Sequence, residues 1–180
     1  MFVNREPRDV SGAVTWGLLA AWAVHDLEEV VTIPRWVRTH VPELRERFPG
    51  VPERVWRGLE SVDRREFGTA VAAVAVVVAA AAADGWRTGG RSAAYRTALD
   101  GFGLHGLVHL AQAAAVRGYT PGSVTTPLVV LPFTLWARGR LRRAGALPPT
   151  RARDVARGLA FAATTAFGAH ALARRVRHAR

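Results

Sequence analysis

Long apolar runs alternate along this chain with short connectors dense in arginine. Residues 13–33, AVTWGLLAAWAVHDLEEVVTI, form the first run and reach the length of about 17–25 residues that a bilayer crossing needs. A helix is predicted to end there just before Pro34, because the residue ahead of a proline is pushed out of the helical region. Residues 34–66 interleave arginines and acids with Trp36, Val37, Val41, Leu44, Phe48, Val55, Trp56 and Leu59. Two short amphipathic helices are expected, split at Pro49-Gly50-Val51-Pro52 and lying at a membrane interface with Trp36 and Trp56 as anchors. A solvated surface connector is the plainer alternative.

Residues 67–83 are almost pure alanine and valine, which suits close approach of neighbouring helices. A third segment, 98–116, ends in the turn Arg117-Gly118-Tyr119-Thr120-Pro121-Gly122. The fourth, 123–137, contains Pro127 and Pro132 and is predicted to be a kinked helix whose freed carbonyls are satisfied by neighbours. Segment 159–173 is the least apolar and reads as an incomplete span. A polar lead-in of residues 1–12 and an arginine-bearing tail ending at Arg180 flank the set. The expected fold is an all-α integral membrane helical bundle, one domain over residues 1–180, with four to five crossings. Its expected location is the cell (inner or plasma) membrane, as a multi-pass protein.

Composition sharpens this picture in three ways. All 25 basic residues are arginine, and against 14 acids they give a formal charge of +11. Their scatter through the connectors fits membrane topology signals and anionic lipid, and no nucleic-acid-binding motif accompanies them. The expected partners are therefore membrane lipids and a lipid-soluble small molecule, with no nucleic acid and with homo-oligomerisation left open. The mean hydropathy is only +0.07, because the connectors dilute the apolar runs. There are no cysteines, which excludes disulfides, thiolate nucleophiles and sulfur-ligated metals. The acids of the first run do not fit a cleavable secretory signal, so that run is expected to be retained.

The candidate chemistry sits inside the apolar runs. At about 100° per residue, His25, Glu28 and Glu29 share one helix face and Asp26 stands at its margin. Each acid deep in a bilayer costs about 2.5–3.5 kcal/mol on insertion scales, so the face should point into the bundle and be neutralised there. His105 and His109, four apart on the third segment, project from one face at a matching depth, with Gln112 continuing it. Asp100 lies on roughly the opposite side. Neutral imidazole and carboxylate suit zinc foremost, with iron or manganese as alternatives. The candidate metal ligands are His25, Glu28, Glu29, His105 and His109. Glu29 or Glu28 is the candidate catalytic base, and Asp26 and Gln112 are candidate outer hydrogen-bonding partners. His170 is a possible sixth group. Haem fits poorly, because His105 and His109 leave one helix face. Ion pairing with a snorkelling Arg96 or Arg117, or a proton relay, would be metal-free uses of the same residues.

His25-Asp26-Leu27-Glu28-Glu29 resembles the motif of the HXXEE family of small prokaryotic integral membrane proteins. His105-Gly106-Leu107-Val108-His109 is similar to that family's second motif, H-x-x-x-H. Gly118-Tyr119-Thr120-Pro121-Gly122 with Thr125 and Thr126 resembles its downstream turn, which brings in Tyr119 as another outer partner. The resemblance spans roughly residues 13–137. It implies a metal-dependent site and does not imply a particular reaction. The expected function is a metal-dependent membrane hydrolase acting on a lipid-like or amphiphilic substrate through a metal-activated water. An iron-dependent oxidase or hydroxylase on the same ligands, a metal or proton transporter, and a non-catalytic scaffold are the rivals.

Overall fold

The computed structural model describes residues 10–61 and 64–178, the side chain of His178 excepted. The lead-in before residue 10 and the Arg180 end of the tail lie outside the described residues. The described chain is all-helical: α1 (Gly12–Arg47), α2 (Glu53–Glu60), α3 (Arg64–Arg87), α4 (Ala93–Val116), a π-helical turn (Thr126–Val130), α5 (Leu131–Arg143) and α6 (Ala152–His178). No strand occurs among the described residues.

The principal departure from expectation is α1, whose 36 residues run through both Pro34 and Pro42. An internal proline removes one helical hydrogen bond and crowds the preceding turn, so tertiary contacts must hold both halves in line. They do. Val14, Leu18, Ala21 and Trp22 of the first half belong to the main core, and Val41 and Leu44 of the second half bury against Trp56 of α2. Trp36 Nε1 donates to the Tyr119 carbonyl at 2.8 Å, and Arg47 donates to the Val116 carbonyl at 2.8 Å. The Arg47 guanidinium thus covers the negative end of α4, where a cation is favoured. The expected first amphipathic helix is therefore the continuation of α1, and α2 is the second.

The remaining segments fall near their expected places. Pro127 and Pro132 sit in and just after the π-helical turn, where a widened turn absorbs the missing donors. Helix α4 runs alongside α1: the Tyr95 hydroxyl donates to the Val14 carbonyl at 2.5 Å, and Gly85 of α3 leaves room for the Tyr95 ring. Helix α6 packs on α3 and α4. Its Gly158 meets Gly101 of α4 backbone to backbone, where a Cβ on Gly101 would lie 2.9 Å from the Gly158 carbonyl. At the far end of α6, Arg174 Nε and Arg177 reach the buried Glu66 of α3 at 2.9 and 3.1 Å.

Among the described residues one helix, α3, is long and apolar enough to cross a membrane, with a mean hydropathy of 2.0 over its best stretch. Helices α1 and α4 do not reach that level. The reason lies in their content: α1 carries His25, Asp26, Glu28 and Glu29, and α4 carries Asp100, His105 and His109. The residues that make the site are the ones that lower the apolarity of its helices.

Candidate metal centre

His25, Glu29, His105 and His109 converge, each offering one nitrogen or oxygen, and these four atoms lie within 4.8 Å of one another. Helix α1 supplies the first two and α4 the others, as the matching depths on two parallel helices imply. His25 is fully buried, His109 nearly so, and the Glu29 side chain is 13% exposed. His109 Nε2 is 2.8 Å from His105 Nε2 and 3.3 Å from Glu29 Oε1. Without a metal, one of the two facing imidazole nitrogens must carry a proton that the other accepts. A divalent ion would accept lone pairs from both nitrogens and the carboxylate at once. Two ligands on opposite sides of an ion at about 2.1 Å each stand about 4.2 Å apart, so modest side-chain movement closes the set around one centre.

His25 shows the fit most directly. Its Nδ1 lies 2.7 Å from Thr125 Oγ1, and that hydroxyl donates to Glu28 Oε2 at 2.6 Å. A hydroxyl has one proton, and here it goes to the carboxylate, so Nδ1–H must be the donor to Thr125. The tautomer is thereby set with Nε2 unprotonated. That Nε2 is buried and has no hydrogen-bond partner. Metal-binding histidines carry this outer arrangement, the second ring nitrogen donating to an oxygen that fixes ring and tautomer.

Glu28 does not join the cluster, although its neighbour Glu29 does. Successive helix residues point about 100° apart, and Glu28 turns to the segment ahead of α5. Its oxygens accept from the backbone N–H of Thr125 at 2.8 Å, from that of Val124 at 3.4 Å and from the Tyr119 hydroxyl at 2.9 Å. It is an anion held at the start of a helical run, where free N–H groups favour negative charge. Partial burial, followed by the adjacent Glu28 carboxylate, pushes the Tyr119 phenol up and keeps it a donor. Glu28, expected among the ligands, thus lies outside the four-residue cluster and is tied to Tyr119 and Thr125.

Asp26 lines the same cleft as Glu29 and His105 and makes no hydrogen bond or ion pair among the described residues. Gln112 is exposed on α4, one turn beyond His109, and makes no hydrogen bond among the described residues, so its expected partnership is not formed. His170 stands by Phe67 in that cleft and outside the cluster. Asp100 faces the other way and pairs with Arg138.

Gly122 and Thr125, named from the sequence only as parts of the downstream turn, both contribute to the cluster. Gly122 adopts φ +82, and a Cβ there would lie 2.8 Å from His109 Nδ1 and 2.9 Å from His25 Cε1. Only glycine meets both the left-handed backbone and the close approach to two imidazoles. Thr125 is the link between Glu28 and His25. Its position just ahead of a helical run was the available signal, but that position does not say which ring it touches.

The family described as "protein of unknown function with HXXEE motif" matches residues 16–137, and the chain belongs to it. No curated protein and no solved structure matches.

Proposed function

For this member of the HXXEE family, we propose a divalent-metal site, zinc foremost, held by His25, His105, His109 and Glu29 in a multi-pass membrane bundle of the cell membrane. The activity proposed is hydrolysis of an amphiphilic substrate. The observation that carries the reading is the buried, unpartnered Nε2 of His25, aimed at two more imidazoles and a carboxylate. A divalent ion held there would supply a Lewis acid and lower the pKa of a water towards neutrality. The chain's own residues do the rest. Glu28 and Thr125 hold His25 in one tautomer, and Asp26, free of other partners on the cleft wall, takes the place of proton acceptor. Glu29, expected as the base, serves better as a ligand because it stands 3.3 Å from His109 Nε2.

The membrane assignment draws support from the perimeter. Leu27, Val31, Val76, Leu128, Leu135 and Phe167 are 62–77% exposed, spread over α1, α3, the π-helical turn, α5 and α6. A soluble monomer seldom shows an apolar surface on so many sides.

Elemental analysis of protein purified in detergent tests the reading. Stoichiometric zinc that is lost in both His25→Ala and His109→Ala supports it. Iron in its place would move the chemistry to oxygen-dependent oxidation on the same ligands. A metal-free wild type, or metal content unchanged in the two variants, would sink it.

A further inference from the structure

Between α1, α3, α4 and α6 lies a cleft of about 140 Å³ that opens onto the cluster. At one end its walls carry Asp26, Glu29 and His105, with Phe67 and His170 at the same level. At the other end stand Leu18, Val78 and Ala98. From Glu29 to Leu18 is three turns of α1, or ~16 Å along the axis. Beyond the polar end the lining is aliphatic and aromatic apart from Thr165, with Trp22, Val71, Val74, Phe102 and Phe161 along its walls. Alanines at 70, 162, 166 and 169 keep the α3–α6 side open.

We infer that the cleft takes a single unbranched hydrocarbon chain, with the substrate's polar end at Asp26, Glu29 and His105. The inference rests on the reading of the cluster as the reactive site and names the substrate class that site serves. Three observations carry it. The walls away from the cluster offer almost no hydrogen-bonding group, so a sugar, nucleotide or peptide would leave polar atoms unpaired there. A methylene chain has none to leave. The lined walls run lengthwise along three turns of α1 between four helices, the shape an extended chain follows. Polarity is confined to the end that meets the cluster, so the chain can enter in one sense only. A long-chain acyl ester or amide fits this description.

The test uses a long-chain saturated fatty acid, palmitate, carrying a diazirine and added to the protein in the sterol-based detergent digitonin. Metal content is measured on the same samples. Wild type should give photo-adducts on α3 and α6 peptides, competed by unlabelled palmitate and less well by the shorter octanoate. Ala166→Trp narrows the cleft from an exposed position on its wall, which spares the fold. It should weaken palmitate binding at least about tenfold, the loss of roughly two buried methylene contacts, with metal retained. Val76→Trp, on the exposed side of α3, is the control and should bind as wild type does. Equal binding in Ala166→Trp and wild type, or competition as strong as palmitate's by cholestenone, a fused-ring steroid without the 3β-hydroxyl that digitonin complexes, would overturn the inference. So would a metal-loaded wild type without adducts. A wild type that takes palmitate in the cleft but holds no metal would instead overturn the reading of the cluster and leave the hydrocarbon cleft standing.

Discussion

Helix α4 carries buried charge on two faces, and the two are built differently. On one, Asp100 pairs with Arg138, both side chains being about 15% exposed. Another nitrogen of Arg138 donates to Thr150 at 2.5 Å, and nearby Asp154 accepts from the backbone N–H of Arg151 at 2.9 Å, at the start of α6. Asp100, Arg138 and Asp154 each find a partner in the protein. On the other face, His105 and His109 meet Glu29 and His25, and no arginine enters among the described residues. Two imidazole nitrogens stand 2.8 Å apart, and the buried His25 Nε2 is left without a partner. The first cluster is closed and ties α4, α5 and α6 together. The second is complete only with something added, and that separates a structural polar network from a site.

Substitutions on the two faces should therefore give opposite signatures. Gly122→Ala should have the largest effect, since left-handed backbone costs about 1–2 kcal/mol and the new Cβ displaces two imidazoles together. Both the melting temperature and the bound metal should fall; retention of full metal occupancy would show that the turn does not shape the site. Asp100→Ala comes next. It leaves Arg138 largely buried and without its anion, for a loss of about 3 kcal/mol in stability, while the folded fraction keeps its metal. Metal lost in proportion beyond unfolding would mean that the two faces are coupled. Thr125→Val retains the backbone N–H that Glu28 accepts and removes only the hydroxyl. It should lower metal affinity about 10–100-fold, as loss of an outer partner does, with little change in melting temperature. Unchanged affinity, measured by competition with a chelator, would remove the tautomer argument for His25. Gln112→Ala should be smallest, within about 0.5 kcal/mol and without effect on metal. A loss of metal there would return Gln112 to the site.

Much of this contrast was legible in the chain. An apolar run interrupted by His25, Asp26, Glu28 and Glu29 signals buried polarity needing a partner, and a 3.6-residue period places His105 and His109 on one face opposite Asp100. The spacing of the apolar runs gives the helices and their order, and the two prolines of 123–137 mark the distorted start of α5. Those conclusions depend only on local geometry, which each segment carries within itself.

Other features depended on the packed molecule. Pro34 by local rule ends a helix, yet α1 continues, because α2, Trp36 and Arg47 hold its second half against the end of α4. Periodicity fixes how residues point about their own helix axis, but not which neighbour waits in that direction. Glu28 and Glu29 look interchangeable in HDLEE for this reason. Only the arrival of Thr125, Tyr119 and the Gly122 turn on one side, and of His109 on the other, separates a supporting carboxylate from a ligand.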